Sequence, residues 1–180
     1  QNMIAVASGK GGVGKTFFAI SLTHAMARAG LRVLLFDGDL GLANTDIQLG
    51  LMPKRDLGGV IAGRLTLNQA VLPFEECGFD IVAGRSGSGS LANIPVSRLR
   101  ALGEDLTLLS ATYDRVVIDL GAGLEQTVRQ LTHNVGTCLV IATDDPSSLT
   151  DAYAFVKVTH MERPGTDIRI VINMASSVRA

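Results

Sequence analysis

The sequence has no tryptophan, only two cysteines and no excess of either charge, and each shortage excludes a class of protein. Cys77 and Cys138 lie far apart and form no Cys-x-x-Cys pair, so neither a disulfide scaffold nor a zinc site is indicated. The formal net charge of −1 gives no bulk electrostatic reason to bind nucleic acid or an acidic membrane. No apolar stretch approaches the roughly 18 residues that a membrane span needs, and no basic segment followed by an apolar one opens the chain. We therefore expect a cytoplasmic protein.

Apolar residues are abundant by contrast, and they make up 47% of the 180 positions, enough for one domain with its own core. Short apolar runs of strand type recur at 3–7, 32–36, 79–83, 115–120, 137–143 and 168–173. Between them, helical spacing predicts helices over 15–29, 95–111, 124–134 and 148–161. Most of the runs are continuous rather than alternating, which is typical of strands buried on both faces. The pattern predicts a doubly wound α/β fold, a mostly parallel sheet with helices on both faces.

The stretch from 53 to 90 is the least regular part of the sequence. It holds only short helical patterns, around residues 59–63 and 66–71. Residues 85–90 read Arg-Ser-Gly-Ser-Gly-Ser, and a run of this kind predicts a plain connecting loop. A second phosphate cradle is not indicated there, because no Lys-Thr pair follows the glycines.

A glycine-rich loop between the first apolar run and the first predicted helix is the most informative segment. Its members are Gly9, Lys10, Gly11, Gly12, Val13, Gly14, Lys15 and Thr16. The glycines let the backbone curl so that several N–H groups point at phosphate oxygens, and the following helix adds its positive N-terminal end. The pattern predicts that Lys15 contacts the β and γ phosphates of a nucleoside triphosphate and that the Thr16 hydroxyl ligates Mg²⁺.

Carboxylates follow two of the apolar runs. Asp119 comes directly after Val-Val-Ile, an arrangement that lets a carboxylate approach the Mg²⁺ of a phosphate-loop site, usually through water. Asp37 and Asp39 follow the run at 32–36, and one of them is expected to act on water. Ligands of doubly wound sheets lie at the carboxyl ends of the strands, so we expect all three carboxylates beside the phosphate loop.

Gly123 stands four residues beyond Asp119. We expect its amide to contact the γ phosphate and so to sense the loss of that phosphate on hydrolysis.

Lys10 has no role in an ordinary phosphate-binding loop, where Lys15 alone supplies the lysine charge. With Lys10 included, the segment Lys-Gly-Gly-Val-Gly-Lys-Thr resembles the deviant Walker A motif of the ParA/MinD superfamily, P-loop NTPases of the SIMIBI type. In that superfamily the signature lysine crosses to the nucleotide held by a partner subunit in a face-to-face dimer. The resemblance implies that two copies of this chain assemble when ATP is bound.

Longer segments resemble the FlhG/FleN branch of that superfamily, the MinD-like ATPases that set flagellar number and placement. One segment covers residues 37–46 and continues at 49–51. The other runs from 143 to 153 and is followed by Ile-Asn-Met-Ala at 172–175. The resemblance covers nearly the whole chain. It implies a Mg²⁺-dependent ATPase that hydrolyses ATP slowly, dimerises with ATP and acts on protein partners in flagellar assembly or transcription.

The resemblance also implies roles for single residues. Asp39 would position the attacking water, Asp37 would support Mg²⁺, and Asp119 would hold that ion through water. Asn173 would read the adenine edge, and Thr143 would contact the nucleotide. The residues implied to be catalytic are Lys10, Lys15 and Asp39. The residues implied to belong to moving switch segments are Asp37, Asp39, Asn44, Asp119 and Gly123.

Members of the superfamily continue beyond the strand that ends near Asn173 and carry a C-terminal amphipathic helix that binds membrane reversibly. The flagellar members also have an N-terminal extension that contacts a GTPase partner. We therefore expect residues 1–180 to form one C-terminally truncated ATPase domain without its own membrane contact. The full-length protein would be cytoplasmic or peripheral at the inner membrane.

Other members of the fold remain alternatives. A DNA-partitioning or division-site ATPase uses the same switch, and DNA binding would require basic residues clustered on the dimer face, whereas Arg98, Arg100, Arg115 and Arg129 are scattered. A metallocluster ATPase of the nitrogenase iron-protein type needs cysteines near the second switch, and residues 120–135 contain none. A ligase of the dethiobiotin or cobyrinic acid group would need a substrate pocket, and a bacterial tyrosine kinase would carry a terminal tyrosine cluster.

Overall fold

A parallel sheet forms the centre of the molecule in the computed structural model, which describes residues 2–41, 43–84, 94–133 and 135–177. The strands in these ranges are β1 (Met3–Ser8), β2 (Val33–Gly38), β3 (Leu72–Phe74), β4 (Phe79–Val82), β5 (Arg115–Ala122), β6 (Thr137–Ala142) and β7 (Asp167–Ile172). The helices are α1 (Lys15–Arg28), α2 (Thr45–Gln48), α3 (Leu57–Ile61), α4 (Leu67–Ala70), α5 (Val96–Ser110), α6 (Gln126–Thr132) and α7 (Pro146–Glu162).

The strand order is β3-β4-β2-β5-β1-β6-β7, and every pair is parallel except β3 with β4. β1 lies between β5 and β6, and β5 separates it from β2. The carboxyl ends of β1, β2 and β5 therefore lie side by side at one edge of the sheet. In the register, Asp119 is opposite Val6 on one side and Asp37 on the other, which brings the two acidic strand ends together.

Apolar side chains alternate between the two faces of the sheet, as the two-residue period of a strand requires. In β2, Leu34 and Phe36 pack on one face with residues of α3, α4, α5, α6 and α7. Val33 and Leu35 pack on the opposite face, where α1 contributes Ala19. The predicted doubly wound architecture, with helices on both faces, is confirmed.

The structure corrects several boundaries of the predicted elements. The helix predicted at 148–161 begins earlier, because the Asp145 carboxylate accepts a hydrogen bond from the Ser148 amide and Pro146 fits the first helical position. The helix predicted at 124–134 is the shorter α6, and residue 134 lies outside the described residues. The short helices predicted around 59–63 and 66–71 are α3 and α4.

The irregular stretch from 53 to 90 contains more order than the sequence predicts. β3 and β4 form an antiparallel hairpin there, and α2 precedes it. β3 was not predicted because it has three residues and Pro73 stands in its middle, a position tolerated on an edge strand. The loop predicted at 85–90 lies outside the described residues. Among the residues that are described, no helix combines the length and the apolar character needed to cross a bilayer.

Candidate functional site

The glycine-rich loop joins β1 to α1 and turns into the helix at Gly14. Gly14 is the N-terminal cap of α1 and has φ 85°, a left-handed conformation that side chains rarely adopt. A Cβ at this position would also lie 2.4 Å from Asn173 Nδ2, so a larger residue would have to displace that side chain in addition to adopting the left-handed conformation. The result is a helix N-terminus whose first amides open toward the loop, which is the arrangement that binds phosphate.

The other end of the loop packs against α7. A Cβ on Gly9 would lie 2.3 Å from the backbone carbonyl carbon of Asp151, so only glycine allows this close approach. The loop is therefore braced by the last strand through Asn173 and by α7 at Gly9.

Lys15 and Asp119 form a buried ion pair beneath the loop. Lys15 Nζ lies 2.6 Å from Asp119 Oδ1, and both side chains are almost fully enclosed. Burial raises the pKa of the Asp119 carboxyl above its ordinary value, although the Lys15 charge opposes that shift. The structure thus joins the lysine predicted to bind phosphate to the aspartate predicted to approach Mg²⁺.

Asp37 lies at the end of β2 with no exposed surface. Its carboxylate accepts hydrogen bonds from the backbone amides of Asp39 and Thr45, both at 3.2 Å. Burial, followed by the nearby charge of Asp119, raises the pKa of Asp37 to about 6. Asp37 therefore fixes the backbone of the segment that carries Asp39 and the start of α2.

Asp39 faces an open cavity of about 670 Å³ over the loop. Its Oδ1 lies 3.4 Å from the place that a Cβ on Gly121 would take, which sets Asp39 beside the end of β5. The predicted site residues that line this cavity are Gly11, Gly12, Gly14, Lys15, Thr16, Asp39 and Asn44.

Lys10 binds residues of its own chain in this structure. Its Nζ donates hydrogen bonds to Asp145 Oδ2 at 2.8 Å and to Ser147 Oγ at 2.6 Å. The Ser147 hydroxyl also donates a hydrogen bond to Asp145 Oδ2. The bonds that Asp145 accepts from Lys10 and Ser147 hold the pKa of its carboxyl below the ordinary value. The lysine implied to cross to a partner subunit is thus engaged at the N-terminus of α7.

Two other predicted site residues have their amides engaged within the chain. The Gly123 amide donates to the Ser8 carbonyl at 2.9 Å, so a contact with a γ phosphate requires that bond to open. The Thr143 amide donates to Ser148 Oγ at 3.0 Å, and Thr143 is not among the residues that line the cavity.

Asn173 links the last strand to the phosphate loop. Its backbone amide donates to the Ala142 carbonyl at 2.7 Å, and its Nδ2 donates to the Val13 carbonyl at 2.9 Å. Because Asn Nδ2 carries two protons, one proton and the Oδ1 acceptor remain after the bond to Val13.

Three features of the candidate site were not foreseen from the sequence. The bonds from Lys10 to Asp145 and Ser147 join residues more than 130 positions apart, and no local pattern signals them. The Thr45 amide that supports Asp37 lies in α2, which is too short to show a helical period. The third is the exposed apolar pair of Phe17 and Met174 at the rim of the cavity.

The residues beside the phosphate loop fit a magnesium ion that phosphate oxygens also hold. Asp119 Oδ2 is buried and has no hydrogen-bond partner among the described residues, and Thr16 lines the adjacent cavity. The described residues contain no cluster of three His, Cys, Asp or Glu side chains that could hold a metal. Mg²⁺ commonly uses one or two protein ligands together with phosphate oxygens and water, which matches this arrangement.

A separate cavity of about 730 Å³ lies beyond α2, between Asp46, Met52, Arg55 and Arg64. It is larger than the cavity over the loop, but it contains none of the residues of the phosphate-binding motif. We place the functional site at the loop because the amides, the lysine and the carboxylates converge there. Cys138 does not line the cavity over the loop. It is fully buried in β6, where it could not ligate a cluster shared between subunits.

Comparison with known proteins identifies the fold and the family. Residues 4–179 match the CobQ/CobB/MinD/ParA nucleotide binding domain. The septum site-determining protein MinD of Pyrococcus horikoshii, solved in complex with Mg-ADP, superposes with a TM-score of 0.83 at 28% identity, covering 95% of this chain and 69% of that one.

Two curated bacterial proteins are similar to this chain over nearly its whole length. The antiactivator FleN of Pseudomonas aeruginosa is 39% identical over 97% of this chain and 62% of its own length. The flagellum site-determining protein YlxH of Helicobacter pylori is 30% identical over 96% of this chain and 58% of its own length. The chain therefore spans about three fifths of the length of these relatives. The resemblance to the ParA/MinD superfamily is thus confirmed over residues 4–179, and the chain belongs to the CobQ/CobB/MinD/ParA family of nucleotide-binding domains.

Proposed function

We propose that this chain is the nucleotide-binding part of an ATP-dependent switch that dimerises with ATP, hydrolyses it slowly and regulates flagellar number or placement. The observation that carries the proposal is the loop from Gly9 to Thr16, shaped around a left-handed Gly14 and placed over the buried Lys15–Asp119 pair. The similarity to FleN and YlxH supports the flagellar assignment.

Nucleotide binding would use the loop amides and Lys15. The amides at the start of α1 donate hydrogen bonds to phosphate oxygens, and Lys15 moves from Asp119 Oδ1 toward the β and γ phosphates. Thr16, Asp37 and Asp119 would hold Mg²⁺, which neutralises phosphate charge when bound. Asp119 Oδ2 is buried without a hydrogen-bond partner in the described part of the chain, which supports the place of Asp119 in that set.

Hydrolysis would depend on Asp39, which faces the cavity from a backbone held by Asp37. Asp39 orients a water whose oxygen attacks the γ phosphorus, while the bond from that phosphorus to the bridging oxygen breaks and ADP leaves with the bridging oxygen. The protons of the attacking water leave with the inorganic phosphate or pass to solvent. Loss of the γ phosphate then allows the Gly123 amide to return to the Ser8 carbonyl.

Dimerisation would depend on Lys10. In this structure its ammonium group is bound to Asp145 and Ser147, so it must leave both before it reaches a nucleotide in a second copy. ATP would favour the assembled state by supplying an additional phosphate for the incoming lysine.

Sedimentation of an Asp39→Ala variant tests the switch, because this change should slow hydrolysis and leave the loop intact. We expect a dimer with ATP and Mg²⁺ and a monomer with ADP and Mg²⁺. A monomer under both conditions, with saturable ATP binding, would contradict the dimerisation step.

Complementation tests the flagellar role. The complete gene that encodes this chain should restore flagellar number in Pseudomonas aeruginosa cells lacking FleN, and a copy with Lys15→Met should not. A second candidate, division-site selection, is favoured by the similarity to MinD. Rescue of septum placement without any effect on flagella would assign that role instead.

A further inference from the structure

The cavity of about 730 Å³ beyond α2 is distinct from the cavity over the phosphate loop, although the same helical turn borders both. Asn44, the N-terminal cap of α2, and Gln48 line the cavity over the loop. Asp46 and Ile47 line the larger cavity instead. None of the groups assigned to phosphate or Mg²⁺ lines the larger cavity, so its chemistry has to be explained separately.

Two large apolar side chains stand exposed at this larger cavity. Met52 is 95% exposed, and Ile47 is 67% exposed. A further cavity of about 440 Å³ shares the segment 51–55 and continues over apolar residues of the β3–β4 hairpin. Exposed apolar surface gains free energy only when something covers it, so this surface favours an occupant.

Three cations line the same cavity as the exposed methionine. Lys54, Arg55 and Arg64 are all exposed, and none of them forms an ion pair in the part of the chain that the structure describes. Arg98, at the start of α5, adds a fourth cation, because its Nη1 lies 3.8 Å from the place that a Cβ on Gly63 would take. A chain with a net charge of −1 therefore carries a local excess of positive charge here.

The carboxylates that line this cavity are already engaged within the chain. Asp56 Oδ1 accepts a hydrogen bond from the Gly59 amide at 2.8 Å and so caps α3. Asp46 is only 6% exposed, and its Oδ1 accepts a hydrogen bond from the Ile47 amide at 2.8 Å. A molecule that enters the cavity therefore meets exposed cations, while the carboxylates serve the fold.

The backbone that carries these side chains is fixed at both ends. The Leu51 amide donates to the Asp46 carbonyl at 2.8 Å, and the Leu57 amide donates to the Ala83 carbonyl at 2.9 Å. Pro53, between these two bonds, has a restricted φ angle. A surface presented on a fixed backbone loses less conformational entropy when it binds a partner.

We infer that this surface is a docking site for a partner protein, which places there an acidic segment that carries one large apolar side chain. The apolar side chain would cover Met52 and Ile47. The carboxylates of the segment would pair with the three cations, because guanidinium groups can bind carboxylates through two parallel hydrogen bonds. Methionine and arginine are also enriched in protein interfaces.

The same observations disfavour nucleic acid and lipid as the occupant. Nucleic-acid interfaces are more polar and much more positively charged than protein interfaces, whereas Met52 and Ile47 lie among the cations here. Binding in the plane of a lipid surface commonly uses a long amphipathic helix, whereas α2 has four residues.

Selection from a random peptide library displayed on phage tests the chemistry of the occupant. The bait is the nucleotide-free chain, so the result does not depend on the proposed nucleotide binding. We expect the enriched peptides to carry several Asp or Glu residues and one Leu, Ile, Phe or Trp. No enriched peptide, or enriched peptides without acidic residues, would overturn the proposal.

Fluorescence anisotropy with the most enriched peptide, made synthetically, then locates the site. The triple variant Lys54→Gln, Arg55→Gln, Arg64→Gln should weaken peptide binding about tenfold, because each exposed ion pair contributes little alone and three are removed. Met52→Ala should weaken it about fivefold through the lost apolar contact.

Matched control variants change the same residue types elsewhere. Arg28→Gln removes an exposed arginine at the end of α1, and Met161→Ala removes a 71% exposed methionine from α7. Both controls should bind the peptide like the wild type. Wild-type affinity in the triple variant, or an equal loss in the controls, would overturn the docking site.

Three further measurements identify a different occupant. They are binding of a random-sequence DNA duplex, co-sedimentation with vesicles of phosphatidylcholine and phosphatidylserine, and self-association of the nucleotide-free chain. We expect the wild type to show none of the three. Any one of them, if present in the wild type and lost in the triple variant, would assign the surface to nucleic acid, lipid or a second copy and overturn the acidic segment.

Discussion

Lys10 Nζ lies 2.8 Å from Asp145 Oδ2, and the same carboxylate oxygen accepts a hydrogen bond from the Ser148 amide at the start of α7. One aspartate thus caps a helix and holds the lysine that we propose to act between subunits. The proposed dimer requires that ion pair to break, so the strength of the pair should influence assembly.

Asp145→Asn should favour ATP-dependent dimerisation, because it removes the charge that holds Lys10 while asparagine can still cap α7. Since the pair is solvent-exposed, the expected gain in dimer affinity is modest, a factor of about two to five. Sedimentation equilibrium with ATP and Mg²⁺ measures it. Asp144→Asn removes an exposed neighbouring charge and should change nothing. Equal affinities for the Asp145 variant and the wild type would show that the pair does not restrain Lys10.

Lys15→Met should lose nucleotide binding and also destabilise the fold. Removal of one partner leaves Asp119 buried without its counter-charge, and breaking a buried pair costs about 3–5 kcal/mol. The pKa of Asp119 should rise further, so the variant should be less stable near pH 8 than near pH 5. Urea unfolding at the two pH values measures the difference.

A double variant separates the two effects of that change. Lys15→Met with Asp119→Asn removes both charges, so it should regain most of the stability at pH 8 and still fail to bind nucleotide. If the single variant is as stable as the wild type at pH 8, the ion pair does not contribute to folding as described.

Asp37 should make the nucleotide-free protein less stable as pH rises from about 4 to about 6. Its pKa is about 6 when folded and 3.8 when unfolded, so the folded chain holds a proton in this interval that the unfolded chain releases. The difference between the two pKa values of Asp37 corresponds to about 3 kcal/mol of unfolding free energy. The raised pKa of Asp119 changes stability in the same direction. Asp37→Asn should reduce the slope of unfolding free energy against pH. An unchanged slope would contradict the burial of this carboxyl.

The two cysteines should react differently with a thiol reagent at pH 8. Cys138 has no exposed surface, and burial raises the pKa of its thiol to about 12, whereas Cys77 is half-buried. We expect Cys77 to react in the folded protein and Cys138 to react only after unfolding. Rapid modification of both thiols without denaturant would contradict the burial of Cys138 in β6.

The strands and the phosphate loop could be predicted because their signals are local. β1, β2, β5 and β6 appear as continuous apolar runs, and the glycines of the loop sit within eight positions. The convergence of Asp37 and Asp119 followed from the rule that parallel strands share one carboxyl edge, and the register confirms it.

The remaining features depend on contacts that no short segment encodes. Lys10 meets Asp145 only because α7 packs beside the loop, where Gly9 leaves space for it. Asn173 donates a hydrogen bond to Val13, a residue 160 positions away, and no local pattern predicts the left-handed backbone of Met174 that follows it. The three residues of β3 are too few to show a strand pattern of their own. They form a strand because they pair with β4.

Titration of ATP with Mg²⁺ into the folded chain tests the central claim most directly, namely that the loop from Gly9 to Thr16 binds a triphosphate through its amides and Lys15. We predict saturable binding of one ATP per wild-type chain and no saturable binding by the folded Lys15→Met, Asp119→Asn variant. The absence of saturable binding to folded wild-type protein, or equal affinity in the double variant, would contradict the claim.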